Sequence, residues 1–485
     1  MDIKTVCRRH QAKIIATVGP ASDKPELIAE MISEGATLFR INLSHSSKQE
    51  VIRLSKVIRE GALLAKQNVG IIADIPGPKL RVSGVKEPIV LKTGDQLCLV
   101  KEGCPSCDYP VDNAISLNYP EIIEDVNVTE YLFIDDGNIR LRAIDKESYY
   151  VLFEALNDGV VKPNKGVHLP RTHLRIGFPT EEDLEWVEFL CEHDLCDFMA
   201  LSYIRSVGDV QRIKEIIKEK KKNIFLIAKI EKHEAISHLE EIAQAAYGIM
   251  VARGDLGIEL PLEDIPHIQK KIIRFCNQMG IPVITATQML ESMVESPTPT
   301  RAEAADIANA ILDGSDAVML SAETAVSKDP VNVIRTMRKI IEKTESHVDY
   351  QKLIDERSRF VQNDVSDAIA NGASRIAKTI NASCIVCLTS SGSTARRISK
   401  YRPQVPIYSM TSNANIISVC ELMWGVIPLH VPLTDHVQES ISIAVKYLID
   451  LHQAKAGDRI VFTLGLPMGV SGSTNLVQVY IVGNS

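Results

Sequence analysis

The chain has 485 residues, is 45% hydrophobic, and sets 54 basic against 62 acidic side chains for a formal net charge of −8. That length suits about three domains, and an acidic balance without a basic block excludes a nucleic-acid-binding surface. No apolar run approaches membrane-spanning length, and the opening stretch MDIKTVCRRHQAK lacks the apolar centre of a secretory signal, so a cytosolic protein with no membrane partner is expected. The ten cysteines are scattered; CPSC at 104–107 reads as a loop with reduced thiols rather than half of a four-Cys zinc site, and the other CxxC spacing, Cys384 to Cys387, lies within an apolar strand run.

In chain order, residues 13–18 (KIIATV) read as a strand, 24–34 as a helix, 38–43 as a strand, 47–66 as a helix and 69–75 as a third strand with Asp74 near its end. After residue 176 the alternation resumes, with strands at 197–203, 224–230, 247–251, 281–286 and 316–320 and helical patterns at 207–221, 233–245, 263–279 and 301–312. Eight strands alternating with helices predict a closed (β/α)8 TIM barrel, whose active site is built at the C-terminal strand ends. An open doubly wound sheet shares the alternation. The barrel is favoured because polar residues gather at the strand ends: Thr17, Arg40, Asn42, Ser44, Asp74, Ser202, Lys229 with Glu231, Arg253 with Asp255, Thr287, and Ser321 with Glu323.

About 120 residues separate the third strand from the fourth, far more than the other gaps. Residues 78–176 hold short alternating runs broken by Gly- and Asn-rich turns, which predicts a small inserted β-barrel domain over the mouth, acting either as a lid or as decoration. Beyond Glu323, helical patterns at 331–345 and 366–379 lead into strands at 384–388, 407–410, 426–429, 459–464 and 477–482, a further α/β unit. The expected domains are thus a catalytic barrel from 1–77 and 177–345, an inserted β lid at 78–176, and a C-terminal α/β regulatory domain at 346–485.

Glu231 and Asp255 end neighbouring strands, so both carboxylates can converge on one hard cation such as Mg²⁺, whose shell a substrate would complete. The alternative is a structural network in which both acids pair with Lys229 and Arg253. Arg40, Arg81, Lys229 and Arg253 bring cations to the same mouth, which suits a phosphoryl group. Thr287 and Ser321 offer hydroxyls with no His–Asp system to activate them, so they read as hydrogen-bonding or proton-relay groups. In the last domain, TSSGST at 389–394 sits between a strand and a helix, where a helix N-terminus favours phosphate; a plain capping turn is the alternative.

These motifs resemble the pyruvate kinase family over essentially the whole chain, through AKIIATVGPAS (12–22), FRINLSH (39–45), DIPGPKLR (74–81), KIEKHEA (229–235), MVARGDLGIEL (250–260), TATQMLESM (285–293) and MLSAETA (319–325). The resemblance implies phosphoryl transfer from phosphoenolpyruvate to ADP, giving pyruvate and ATP, in a homotetramer of three-domain chains. It implies that Glu231 and Asp255 bind Mg²⁺ or Mn²⁺, that Lys229 and Arg40 act on the phosphoryl group, and that Gly254, Asp255 and Thr287 place the substrate. Thr287 with Ser321 would serve enolate protonation, and Arg81, Asn42 and His45 would lie towards the nucleotide. Many members hold K⁺ at positions matching Asn42, Ser44, Asp74 and the backbone of Ile75, with Glu where this chain has Lys79; members of bacterial type with Lys there work without K⁺. The loop Thr389, Ser390, Ser391, Gly392, Ser393 and Thr394 matches the family's site for a sugar-phosphate effector, with 469–474 as a nearby effector loop. Two other readings remain at this point: a metal-dependent lyase working through an enolate, and a catalytically silent metabolite sensor.

Overall fold

The computed structural model describes residues 10–101, 110–119, 121–170, 172–470 and 472–483; the CPSC pair lies outside the described residues. Eight parallel strands close into a barrel: β1 (Lys13–Thr17), β2 (Ala36–Asn42), β3 (Gly70–Ile75), β4 (Phe198–Leu201), β5 (Phe225–Ile230), β6 (Gly248–Ala252), β7 (Val283–Ala286) and β8 (Ala317–Leu320). Each pairs with its neighbours in sequence, and β8 closes on β1 with Lys13 opposite Ala317. The long insertion does not interrupt the ring, since Ile72 of β3 lies opposite Phe198 of β4 and Ile75 opposite Leu201.

The two-residue pleat period decides what the barrel holds. Ile14, Ala16, Ile71, Ala73 and Ala228 face outward under the helices, while Ile15, Leu38, Ile72, Ala200 and Ile227 fill the interior. Two residues further along the same inward faces come Thr17, Arg40, Asp74, Ser202 and Lys229. One periodicity therefore packs an apolar plug and lays a polar tier over it, at the end of the barrel where this architecture does chemistry.

Three helical details differ from the sequence expectation. Glu181–His193 is a helix that the acid-rich stretch EEDLEWVEF conceals, started by a reciprocal cap between Thr180 and Asp183. The pattern at 233–245 breaks at His238 into His233–Ser237 and Leu239–Ala245, each burying its own apolar residues on the barrel wall. Arg253–Glu259 is helical despite Gly254 and Gly257, so Asp255 stands in a first helical turn rather than on an extended strand end.

The insertion is a mixed sheet of seven strands running from Val167–His168 through Tyr131–Ile134, Ile139–Lys146, Tyr150–Ala155, Gln96–Val100 and Ala114–Leu117 to Val82–Ser83. A bridge between Arg81 and Gly166 joins the two ends of that ladder into a ring around Leu97, Leu132, Leu141 and Phe153. Its two-residue edge strands are too short to leave a periodic signal in the sequence.

The C-terminal unit is a five-stranded sheet in the order Val426–His430, Ile407–Thr411, Cys384–Leu388, Arg459–Gly465, Thr474–Ile481, with only the last strand antiparallel. It plugs the lower end of the barrel with Val419 and Leu422. A buried ion pair locks the joint: Arg402 meets Asp316 at 2.7 Å, donates to the carbonyl of Gly314 at 2.8 Å, and lies over the Trp424 ring at 4.9 Å. Asp316→Ala would leave that guanidinium buried without its partner, a loss of about 3–5 kcal/mol. The expected result is a marked drop in melting temperature, part of which Asp316→Ala with Arg402→Met recovers.

Candidate active site

A cavity of about 430 Å³ opens between the barrel mouth and the inserted domain. The barrel contributes Arg40, Asn42, Ser44, Asp74, Lys229, Glu231 and Asp255 to its walls, and the insertion side contributes Lys79, Arg81, Lys165 and His168. Strands far apart in sequence thus deliver one constellation.

Asp74 is its hub. The Arg40 Nε donates to Asp74 Oδ2 at 2.6 Å, and the Lys229 Nζ donates to Oδ1 at 3.2 Å. The Lys229 ammonium also donates to Ser202 Oγ at 2.7 Å and reaches Glu231 at 2.8 Å. Arg40 continues the chain to Thr17 Oγ1 at 3.1 Å, whose hydroxyl donates to the Leu320 carbonyl at 2.8 Å. Burial alone would raise the Asp74 pKa, but Lys229 and Arg40 outweigh it and hold the carboxyl below the ordinary range. Burial would likewise lower Lys229, and Asp74, Glu231 and Asp255 overturn that, so the ammonium stays charged. Glu231 is pushed up, by burial first; Lys229 opposes the rise and the Asp255 carboxylate adds to it.

A buried carboxylate whose charging a neighbouring carboxylate opposes, on a polar wall, suits a hard divalent cation, which would relieve it. Among the described residues no group of three or more His, Cys, Asp or Glu is placed to hold a metal. Glu231 and Asp255 therefore fit an open site whose remaining oxygens come from substrate and water, not a closed protein cage.

Arg81 lines the cavity and is anchored by its Nη1 on the Asn164 carbonyl at 2.9 Å. Lys79 lines it too, on a segment that Asn118 clamps through the Lys79 carbonyl at 2.8 Å and the Arg81 N–H at 2.7 Å. The Ile75 carbonyl accepts the Ser202 N–H at 3.3 Å. His45 ends the short turn Leu43–His45, and its side chain lies outside what the structure describes.

Thr287 and Ser321 are not on the cavity wall. The Thr287 hydroxyl accepts the Gly254 N–H at 2.9 Å, which leaves its own proton free to donate. The Ser321 N–H is held by Glu323 at 2.5 Å. Arg253, expected among the mouth cations, does not join them. Its guanidinium turns outward to Asp306 at 2.6 Å and to the carbonyls of Thr287 at 2.5 Å and Gln288 at 3.3 Å. It thereby braces two consecutive left-handed residues, Thr287 at φ 70° and Gln288 at φ 55°, a conformation costly for side chains with a Cβ.

The sequence reading missed Tyr203, Lys232, Glu259, Lys165 and His168, all of which line the cavity. Lys232 stands inside KIEKHEA, one residue past Glu231, and was the one with a legible signal.

In the C-terminal unit, a second cavity of about 90 Å³ lies where the strand order reverses beside Cys384–Leu388, the position at which open α/β sheets bind ligands. Thr389, Ser390, Ser391, Ser393 and Thr394 line it with Gly469, Gly472 and Thr474. Gly392, at φ 77°, starts the helix Ser393–Lys400 and donates its N–H to Thr389 Oγ1 at 3.0 Å. Thr394 and Thr474 share a hydrogen bond of 2.7 Å, tying the two loops together. Ser471 lies outside the described residues. Among the described residues the one charged side chain on this wall is Asp435, so an anion here would be met by hydroxyls and backbone N–H groups.

A closed barrel carrying carboxylates and several cations at its mouth, under a β insertion, defines a phosphotransferase of the (β/α)8 class. The family models "Pyruvate kinase, barrel domain" and "Pyruvate kinase, alpha/beta domain" match residues 9–334 and 367–480. Similar proteins include pyruvate kinases of Staphylococcus aureus strains MRSA252 and USA300, each 39% identical over 480 residues, covering 98% of this chain and 81% of the relative. A solved pyruvate kinase from Cryptosporidium parvum superposes with a TM-score of 0.91 at 32% identity, covering 98% of this chain and 96% of that one. The chain belongs to the pyruvate kinase family.

Proposed function

We propose that the cavity transfers the phosphoryl group of phosphoenolpyruvate to ADP with Mg²⁺ or Mn²⁺ as cofactor, giving pyruvate and ATP. The observation that carries this reading is the Arg40–Asp74–Lys229–Glu231 chain, which sets two cations and two carboxylates beside Asp255 on one wall. Phosphoryl transfer asks for charge compensation and alignment more than for covalent chemistry. Lys229 and Arg40 face the phosphoryl oxygens and hold their charge during transfer. Glu231 and Asp255 would hold the divalent cation, which supplies Lewis-acid stabilisation of substrate oxygens when bound.

Arg81, with Asn42 and His45, takes the nucleotide side, and the insertion closes over the cavity to keep water from the phosphoryl group. Gly254, Asp255 and Thr287 place the substrate. The free proton of the Thr287 hydroxyl supports a part for it, with Ser321, in protonating the enolate. Pyruvate release from phosphoenolpyruvate that requires both ADP and a divalent metal tests the reading; no release at all would point to the lyase or the sensor, and release without ADP to transfer of the phosphoryl group to water.

Lys79 takes the place of K⁺ beside Asn42, Ser44, Asp74 and the Ile75 carbonyl, so K⁺ is not required. The shared cavity wall supports this, since a tethered ammonium there supplies the missing charge. The 389–394 loop takes a phosphate of a sugar-phosphate activator. Ser391→Asp would put a carboxylate among its acceptors, and about a tenfold or greater rise in the activator concentration for half-effect is expected, with unactivated kcat unchanged. Activation curves of variant and parent that superimpose would place the effector elsewhere. Assembly as a homotetramer follows from the resemblance, and light scattering of the purified chain checks the oligomer; the cytosolic location rests on the sequence, which offers neither a secretory signal nor a spanning run.

A further inference from the structure

Glu231 does not hold its orientation alone. Lys229 reaches Oε1 at 2.8 Å, and the backbone N–H of Tyr203 donates to Oε2 at 2.9 Å. One donor on each oxygen fixes the carboxylate plane and leaves lone pairs on both oxygens for a cation. The second donor comes from an unfavourable backbone: Tyr203 sits at φ 64°, the left-handed region, which a residue with a Cβ disfavours. Something must hold it there.

Two contacts do. On one side Tyr203 Cβ lies against Gly77, where an added Cβ would stand 3.0 Å away, so the glycine leaves room for it. On the other side the Lys232 ammonium lies over the Tyr203 ring, 4.3 Å from its centroid. Lys232 is 6% exposed and pairs with Glu259, itself 4% exposed, so the cation is desolvated, where a cation–π contact is at its strongest. Glu259 ends the helix Arg253–Glu259, whose first turn carries Asp255. The same cluster thus ties the Glu231 strand end to the Asp255 helix.

We propose that Lys232, anchored by Glu259, is a positioning residue for the metal ligand Glu231, acting through Tyr203. This rests on the reading of Glu231 as a ligand of the divalent cation. Without the ammonium the Tyr203 backbone relaxes, its N–H leaves Oε2, and the carboxylate turns towards Lys229 and away from the cation. Metal affinity suffers before the chemical step does.

The test is Mn²⁺ binding to the full-length protein without substrate, read by electron paramagnetic resonance of the unbound ion, for the parent, Lys232→Met, Lys232→Arg and Glu231→Gln, each checked for folding by circular dichroism. The expected result is Mn²⁺ affinity about 10–100-fold weaker in Lys232→Met, the usual cost of losing an outer-shell partner. Lys232→Arg, which can still reach Glu259 and stack on the ring, should stay near the parent. In steady-state assays of Lys232→Met the half-saturating metal concentration rises while kcat at saturating metal remains close to the parent's. Parental Mn²⁺ affinity in a folded Lys232→Met, with binding lost in Glu231→Gln, overturns the positioning role and leaves the metal site standing. Parental affinity in Glu231→Gln overturns the metal site and the positioning role together.

Discussion

Lys229→Met is expected to lower kcat by on the order of 10³-fold, the scale at which a single cation placed on a phosphoryl group acts. The ammonium is in contact with Asp74, Ser202 and Glu231 at once, and methionine keeps its volume while removing its charge and donors. A second consequence follows from the lost pairing. Burial and Asp255 push Glu231 upward, and Lys229 is what opposes them. With Lys229 gone the Glu231 pKa rises further, the carboxyl stays protonated to higher pH, and the acid limb of the pH–rate profile moves to higher pH. The half-saturating metal concentration at neutral pH rises with it. Asp74 keeps Arg40 as a partner, so the fold should persist, which a thermal melt verifies. A variant that retains a kcat within tenfold of the parent, with an unmoved acid limb, would remove Lys229 from the reaction.

Lys79→Glu is expected to convert a K⁺-indifferent enzyme into one that needs K⁺. In the parent, replacing K⁺ by tetramethylammonium should leave the rate unchanged. In the variant the same replacement should reduce it by about 10²–10³-fold, because a carboxylate beside Asp74 leaves anionic substrates facing uncompensated charge. Restoring K⁺ should recover much of the loss. The parent carries its own signature of this role. Lys79 is exposed at the mouth, yet partial burial against its walls and then Arg81 hold its pKa below the ordinary lysine value, against the pull of Asp74 and Asp255. A lysine with a lowered pKa loses its charge earlier as pH rises, so K⁺ should begin to stimulate the parent on the alkaline limb of the profile. A parent that is inactive without K⁺ at neutral pH would reject the role of Lys79.

Much of the site was legible because the strands are buried on both faces. Short apolar runs alternating with helical patterns mark such strands, and their ends carried Arg40, Asp74, Lys229 and Glu231 in plain view. Pleat parity explains the error over Arg253. Met250 and Ala252 have inward parity on β6, so Arg253 continues the outward face and turns to Asp306. Asp255 has outward parity as well, and reaches the mouth only because a helical turn begins at Arg253 and changes the period from two to about 3.6. Thr287 escapes parity in another way, through the left-handed pair that Arg253 braces.

The sequence by itself determined the alternation of elements, the apolar and polar tiers of the barrel, and which residue types stand at the strand ends, since these follow from local periodicity. Only the tertiary structure decided which of those residues meet. Lys229 and Asp74 are 155 positions apart and share a hydrogen bond because the ring closes around the insertion, and Lys79 and Arg81 enter the cavity because that insertion folds back over the mouth. Tyr203 meets Glu231 through a backbone conformation that its side chain disfavours, with Lys232, paired to Glu259, over its ring; no local pattern encodes such a cluster, because its parts follow different strands.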